Sequence, residues 1–185
     1  MRWAHGIFIA LAVMWVAVAV AMVFINFSRP ADGKTRDHGM TRRISAAGLE
    51  HIKHFEGLRL KSYYCVAGRC TIGFGHAGGD VKPGMTITLA RAEELLRQDL
   101  DTAERAVAEL VKVPLRQGQF DACVDFVFNL GRQAFAGSTL LKLLNKREHS
   151  AAAEELMRWV HSGGRVVAGL QRRRLAARDM WNEHT

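Results

Sequence analysis

The sequence predicts an α+β fold with a small β-hairpin lobe and a larger helical lobe, which are joined by one long helix. Three observations support this: an uncharged apolar run near the N-terminus, glycine-broken β-prone pieces after residue 57, and helical periodicity from residue 89 onward. The 185 residues suffice for one moderate domain plus an appendage. We divide the chain into a membrane segment (1–27), a linker (28–43) and a folded domain (44–185).

The N-terminal run contains no charged residue from Gly6 to Phe27. As a helix it would span roughly 30 Å, the thickness of the hydrocarbon core of a bilayer. This length favours an uncleaved transmembrane helix, with a removed export signal or a buried core helix as the alternatives. Only Ala19-Val20-Ala21 resembles a cleavage site. Because the run is rich in alanine, we expect weaker insertion than for a leucine-rich anchor.

The formal net charge of +8 lies almost wholly after this run, since Arg2 is the single Lys or Arg up to residue 27. Such a charge favours an anionic partner (nucleic acid, anionic lipid or cell-wall polymer), or it serves solubility alone. The basic residues that follow the run favour a cytoplasmic C-terminus by the positive-inside rule. Long C-terminal domains, however, often translocate regardless of flanking charge.

Three cysteines, Cys65, Cys70 and Cys123, allow one disulfide and one remaining thiol in an oxidising compartment. No pair has the C-x₂-C spacing of a metal site. His51 and His54 lie three apart on a predicted helix, but no further ligand accompanies them. The sequence therefore predicts no metal and no cofactor.

Start and stop signals define the elements of the folded domain. Ser45 is a predicted helix N-cap and Gly57 ends that helix, so Glu56 lies in its last turn. Two β-prone pieces, Tyr63–Cys65 and Cys70–Ile72, flank a predicted four-residue hairpin loop. Further helices are predicted at 89–111, 119–130, 138–145, 151–161 and, after a loop at 163–164, 170–181.

Glu56, Cys65 and Thr71 form the predicted chemical site. Glu56 lies at the negative end of a helix beside apolar residues, and both effects favour the protonated carboxyl that a general acid needs. Cys65 and Thr71 flank the hairpin, where a thiol and a hydroxyl can hold a water for attack in the inverting arrangement of glycoside hydrolysis. A thiolate at position 65 can also attack covalently. The pattern alone leaves a surface glutamate and a structural cysteine as alternatives.

These residues resemble the catalytic segment of the phage-type lysozymes, glycoside hydrolase family 24, whose pattern is Glu-x₈-Asp/Cys-x₅-Thr. The resemblance runs from Ile44 to Trp181 and includes four further stretches: Gln119–Ala122, Phe126–Gly131, Phe135–Leu141 and Gly169–Arg174. It implies a lysozyme-like fold that hydrolyses the β-1,4 bond between N-acetylmuramic acid and N-acetylglucosamine in peptidoglycan.

The same resemblance assigns the roles of the site residues. It implies that Glu56 is the general acid and that Cys65 and Thr71 handle the nucleophilic water. It also implies that Phe128 and Asn129 line the glycan cleft. We expect a monomer that acts on peptidoglycan and does not bind nucleic acid.

With its N-terminal segment, the chain resembles the signal-arrest-release endolysins. This implies export, an inactive form held on the host inner membrane facing the periplasm, and release to the periplasm on depolarisation. Some relatives control the catalytic cysteine through a cysteine in the membrane segment, whereas this chain has none before Cys65. We expect instead that oxidation of Cys65 to Cys70 or Cys123 silences the site.

Two alternatives come from other classes of protein. One is a membrane-tethered protein that binds nucleic acid through Lys146, Arg147 and the Arg172–Arg174 run. It requires stacking aromatic residues or a recognition helix, and the sequence shows neither clearly. The other is a cell-wall-binding module without catalysis, which the presence of both Glu56 and Thr71 opposes.

Overall fold

The computed structural model describes residues 42–65 and 68–183. The predicted membrane segment and most of the predicted linker lie outside the described residues. Among those that are described, no helix has the length and apolar character needed to cross a bilayer.

The described residues form an α+β fold with a helical lobe and a small antiparallel hairpin, which confirms the predicted class. The elements are α1 Ala46–Glu56, β1 Arg59–Tyr64, β2 Cys70–Gly73, α2 Leu89–Leu110, α3 Gln117–Leu130, α4 Arg132–Gly137, α5 Thr139–Asn145, α6 His149–Glu155, a 3₁₀ turn Leu156–Arg158, β3 His161–Ser162, β4 Arg165–Val166 and α7 Ala168–Asn182. The 22-residue α2 is the predicted connecting helix.

The ends of α1 are set by the two residues that the sequence indicated. The Ser45 hydroxyl accepts a hydrogen bond from the backbone N of Gly48 at 3.1 Å and also donates to Asp121 of α3. Gly57 ends the helix with a positive φ of 71°, a conformation that glycine adopts without steric strain. Glu56 is therefore the last residue of α1 and lies where the chain turns toward β1.

The register of the β1–β2 hairpin decides which side chains share a face. Tyr63 lies directly opposite Thr71, and the backbone N of Cys65 donates to the carbonyl of Arg69 at 2.9 Å. Since side chains alternate between faces, Cys65 and Thr71 share one face with Tyr63. Cys70 lies on the other face, where it packs against the core. Strand β1 ends at residue 64, so Cys65 begins the loop instead of ending the strand as predicted.

Two segments after α5 differ from the prediction. The helix predicted over 151–161 is shorter, because α6 and its 3₁₀ turn end at Arg158 and His161 lies in β3. The predicted 163–164 loop is the tip of a second hairpin, in which Gly163 and Gly164 have positive φ values of 56° and 75°. The sequence also missed α4. Two-residue strands and a six-residue helix are too short to show the periodicity on which such predictions depend.

The core lies in the helical lobe around α3, which is buried on most of its faces as predicted. Helices α2 and α7 both pack against it. Large side chains that are almost fully buried include Ile52, Leu95, Phe126, Phe135 and Trp181. This packed lobe holds the end of α1, and thus Glu56, in a fixed position.

Gly118 permits the close approach of α3 to α7. A Cβ atom at this position would lie 2.0 Å from the carbonyl oxygen of Met180, so backbone would have to move. We expect Gly118→Ala to lower the free energy of unfolding by about 1–3 kcal/mol. The matched control is Gly169→Ala in α7, whose Cβ would meet nothing within 4 Å and which gains up to about 1 kcal/mol of helix propensity. Urea unfolding measures both, and equal stabilities would contradict this account of the α3–α7 contact.

Candidate active site

Glu56 is largely buried, with 10% of its side chain exposed. Its Oε1 accepts a hydrogen bond from Nη1 of Arg173 at 2.7 Å. Its Oε2 lies near Gly75, where a Cβ atom would be 3.8 Å away. The predicted burial of Glu56 is confirmed. The ion pair with Arg173 was not predicted.

Arg173 connects Glu56 to a buried carboxylate, Asp125 of α3. Nε of Arg173 donates to Oδ1 of Asp125 at 2.8 Å, and Nη1 of Arg174 donates to Oδ2 at 3.0 Å. These three side chains are at most 1% exposed. Burial acts to raise the pKa of Asp125, but the neighbouring Arg173, His51 and Arg174 outweigh it and hold that pKa well below its usual range.

The second arginine reaches a residue of the predicted cleft. Nη2 of Arg174 donates to Oδ1 of Asn129, whose side chain is buried. Burial lowers the pKa of Arg174 to about 10, although Asp125 acts in the opposite direction, so the side chain stays a cation at neutral pH. One carboxylate on α3 therefore holds the partners of both Glu56 and Asn129.

The sequence analysis missed this cluster because it interpreted the arginine run as a basic surface. Arg173 and Arg174 are 1% and 0% exposed, so they cannot contribute to a nucleic-acid interface as that alternative required. A signal was present in the sequence. Both arginines fall three and four residues after Leu170, on the same helical stripe as Ala177 and Trp181, which indicates the buried face of α7.

Cys65 and Thr71 both donate a hydrogen bond to the carbonyl oxygen of Arg69. This oxygen accepts from the backbone N of Cys65 at 2.9 Å and from the Thr71 hydroxyl at 3.1 Å. Tyr63 lies on the same face of the hairpin. Burial raises the pKa of Tyr63, and the charges of Cys65 and Glu56 add to that rise, so both residues lie within electrostatic range of the phenol. The hairpin thus brings Cys65 and Thr71 to the face that Tyr63 occupies.

All three cysteines are thiols. Cys123 is fully buried in α3, and this burial raises the pKa of its thiol. Cys70 and Cys65 belong to opposite faces of the hairpin. Disulfide geometry requires Cβ atoms that face each other, so a bridge between Cys65 and Cys70 would require backbone movement. The hairpin therefore opposes this pairing, while the pairing of Cys65 with Cys123 stays a prediction.

A cavity of about 370 Å³ is lined in part by Gly75. Gly75 also lies beside the Glu56 carboxyl, so this one residue links the carboxyl to the cavity wall. Phe128 and Asn129, the two predicted cleft residues, both line it. The remaining lining residues are Arg69, His76, Ala77, Gly78, Asp99, Thr102, Ala103, Val127, Gly131 and Arg132. Binding of glycan by Phe128 and Asn129 stays a prediction.

Comparison with known families agrees with this fold. The pattern that defines the phage lysozyme family matches residues 53–177. The chain belongs to this family. It is 44% identical over 136 residues to the endolysin of Salmonella phage P22, an alignment that covers 71% of this chain and 93% of that relative. It is 38% identical over 125 residues to the SAR-endolysin of Bacteriophage PS119, covering 68% and 75% of the two chains.

Other members of the family are longer. The endolysin of Bacillus phage PZA is 44% identical over 145 residues, which are 77% of this chain but 56% of that relative. This chain therefore spans little more than half the length of that endolysin. Among solved structures, the muramidase domain of SpmX from Asticaccaulis excentricus is 39% identical, with a TM-score of 0.72 over 77% of this chain and 99% of that one. The lysozyme-like fold is thereby confirmed.

His76 lies in the cavity wall, and its imidazole is within hydrogen-bond distance of two carboxylates. Its Nδ1 lies 3.0 Å from both carboxylate oxygens of Asp99, and its Nε2 lies 3.2 Å from Oδ1 of Asp80. The hydrogen bond to Asp99 raises the pKa of His76, against the opposite effect of burial, and Asp80 adds to the rise. Asp99 lies on α2, so the pair joins the loop after β2 to the connecting helix.

This pair predicts a pH-dependent stability. The folded state binds the His76 proton more tightly than the unfolded state, in which the pKa is about 6.5. Its stabilising contribution is therefore complete below that pH and is lost as the pH rises through the higher pKa of the folded state. His76→Asn should lower the free energy of unfolding most at acidic pH and progressively less at alkaline pH. Urea unfolding between about pH 5.5 and 9 tests this.

The matched control is His161→Asn, which removes an exposed histidine of β3. It should leave the shape of the stability profile unchanged. A difference between parent and His76→Asn that stays constant across the pH range would contradict the assignment to the His76–Asp99 pair.

Proposed function

We propose that this chain is a lysozyme that hydrolyses the β-1,4 bond between N-acetylmuramic acid and N-acetylglucosamine and thereby lyses the host cell. The observation that carries the proposal is the largely buried Glu56 carboxyl, which Arg173 holds beside Gly75, a lining residue of a cavity of about 370 Å³. A concave site with few convergent polar groups is the usual form of a ligand pocket. The endolysin and muramidase names of the relatives support the same substrate.

In this proposal Glu56 is the general acid. Arg173 holds Oε1, which leaves Oε2 on the side of Gly75 to protonate the glycosidic oxygen. The C1–O bond then breaks, and a water delivers its hydroxyl group to C1 while its remaining proton passes to a base or to solvent. Protonation by a carboxyl at this position makes the departing sugar a neutral alcohol.

Cys65 and Thr71 position or activate the water. The Thr71 hydroxyl donates a hydrogen bond to the Arg69 carbonyl, so the lone pairs of the hydroxyl oxygen are left to accept a hydrogen bond from the water. The Cys65 thiol lies on the same face of the hairpin, at the loop that closes beside Thr71. Together they provide a polar position beside the acid for the nucleophile.

Phe128 and Asn129 are proposed to bind the glycan. Oδ1 of Asn129 accepts from Arg174, which leaves the amide N–H groups as the donors with which Asn129 can meet a sugar oxygen. Phe128 adds an aromatic surface to the same wall of the cavity. Arg174 thus acts as a positioning residue for Asn129.

We further propose that the chain is held on the host inner membrane, facing the periplasm, and is then released to the periplasm. The uncharged run Gly6–Phe27 and the SAR-endolysin relatives support this. The last two residues of the predicted linker contact the folded domain: Nη1 of Arg42 donates to the carbonyl of Leu115 at 2.6 Å, and Arg43 pairs with Glu104 at 2.9 Å.

The acid role predicts the effect of Glu56→Gln. The amide is similar in size but has no acidic proton, so clearing of permeabilised Gram-negative cells should slow by about 10²–10⁴-fold. Binding to purified cell wall and a cooperative unfolding transition should persist. Glu50→Gln is the control, since it removes an exposed carboxyl from the same helix and should clear cells like the parent. Clearing by Glu56→Gln at the rate of the parent would refute the acid role.

The same assay tests the thiol. Cys65→Ser keeps a small polar side chain but weakens the nucleophile and base, and we expect a clear loss of lytic rate. If Cys65→Ser lyses like the parent, Cys65 has no catalytic role. If the purified parent binds cell wall but never clears permeabilised cells, the chain is a wall-binding module and the lysozyme proposal fails.

The membrane proposal is tested by fractionation of cells that express the full chain. Before depolarisation, the protein should be in the inner-membrane fraction without lysis; after an uncoupler is added, it should become soluble in the periplasm and lyse the cells. Glu56→Gln should fractionate in the same way without lysis. A protein that stays insoluble and protected on the cytoplasmic side would contradict this localisation.

A further inference from the structure

Most of the large apolar side chains that are exposed among the described residues lie in one small region, around the β1–β2 hairpin. They are Leu58, Leu60, Tyr64 and Leu89, with exposed fractions from 39% to 64%, whereas Val166 lies apart from them in β4. Single exposed apolar residues are common on protein surfaces, but a group of them marks an interaction surface. We call Leu58, Leu60 and Leu89 the leucine patch.

Backbone pairing brings the three leucines of the patch together. The carbonyl oxygen of Leu60 accepts a hydrogen bond from the backbone N of Ile87 at 2.9 Å, and the two segments run antiparallel. Leu58 precedes Leu60 by two residues, and Leu89 follows Ile87 by two. In an antiparallel pair these two positions lie at the same end, and side chains two residues apart on a strand share a face. The three leucines are therefore neighbours on one edge of the hairpin lobe.

The same region carries a positive charge. Residues 57–88 contain four Lys or Arg residues and one acidic residue, Asp80. Arg59, which lies over the Tyr63 ring, and Lys61 alternate with the leucines in sequence; both are exposed, and neither forms an ion pair with a residue that the structure describes. Cations around an apolar patch match a bilayer with acidic headgroups, which is anionic at its surface and apolar beneath. A nucleic acid or a glycan offers no apolar layer for the leucines.

The leucine patch lies within reach of a membrane that holds the N-terminal run. At the end of the predicted linker, Arg43 pairs with Glu104 of α2 at 2.9 Å. Leu89 is the first residue of the same helix, about 22 Å from Glu104 along the helix axis. Fourteen residues separate Phe27 from Arg42, and such a length of chain spans at most about 50 Å. The linker is therefore long enough for the hairpin lobe to contact the bilayer surface.

We propose that the leucine patch docks on the anionic surface of the inner membrane, with the leucines at the boundary between headgroups and acyl chains and with Arg59 and Lys61 at acidic headgroups; this rests on the proposed membrane location. Tyr64 ends β1 and adds an exposed aromatic ring of the kind enriched at bilayer interfaces. The membrane-held chain is then bound at two places, by its N-terminal run and by its hairpin lobe. Because the first attachment keeps the patch near the bilayer, the second needs little affinity of its own.

The test is hydroxyl-radical footprinting of the full chain bound to vesicles, which reports the exposure of individual side chains. Vesicles of phosphatidylcholine with phosphatidylglycerol should protect Leu58, Leu60, Leu89 and Tyr64 from oxidation, and vesicles of phosphatidylcholine alone should protect them much less. Val166 is the internal control, because it is equally exposed but lies outside the patch, and its oxidation should be the same on both. Added salt should weaken the protection, since it screens the charge of the headgroups.

Two variants test the two parts of the contact. Lys61→Gln should lower the ratio of docked to undocked chains on the anionic vesicles by about fivefold, the contribution of one cation near an anionic bilayer. Lys142→Gln is the matched control, since it removes an exposed lysine of α5, outside the hairpin, and should leave the ratio unchanged. Leu58→Ser together with Leu60→Ser should remove the protection of Tyr64.

Equal protection of Val166 and the leucine patch, or equal protection on the two kinds of vesicle, would overturn the proposal. Protection in detergent without lipid would also overturn it, because the patch would then bind protein. A chain that sediments with the anionic vesicles but leaves the patch fully reactive overturns the docking alone, and the proposed membrane location stands. A chain that associates with neither kind of vesicle overturns the membrane location itself, and the docking with it.

Discussion

The structure of the site depends on one buried carboxylate, Asp125, which lies between two buried arginines. Removing a single partner from such a cluster typically destabilises a protein by about 3–5 kcal/mol, because an uncompensated charge stays buried. The cluster also fixes two site residues, because Arg173 donates a hydrogen bond to Glu56 and Arg174 donates one to Asn129. The orientation of the proposed acid and of one cleft wall therefore depends on the same point of α3.

Much of the fold could be predicted because the informative signals are local. Ser45 and Gly57 mark the ends of α1 through their own side-chain and backbone chemistry, and these signals placed Glu56 correctly at the helix end. The partner of Glu56 could not be predicted in this way, since Arg173 is 117 residues away. A run of arginines also matches a solvated surface unless its positions are compared with the apolar stripe of the helix.

The cysteines show a second limit of sequence analysis. Cys65 and Cys70 flank one short loop, so they resemble a potential pair in sequence. Whether they share a face depends on the register of the hairpin, since a shift of one residue moves side chains to the opposite face. The register places Tyr63 opposite Thr71 and so separates the two thiols. The same register brings Cys65 to the side of Thr71, the arrangement that the proposed water-handling role requires.

The two lobes hold their proposed site residues by different kinds of contact, and this difference suggests a division of roles. In the helical lobe Asp125 pairs with both buried arginines, and Arg173 also pairs with Glu56, so ion pairs within that lobe hold the acid. In the hairpin, neutral hydrogen bonds hold the proposed water-handling residues: the carbonyl oxygen of Arg69 accepts from the backbone N of Cys65 and from the Thr71 hydroxyl. On this argument the helical lobe orients the proposed acid through ion pairs, while the hairpin orients the proposed water-handling residues through its backbone.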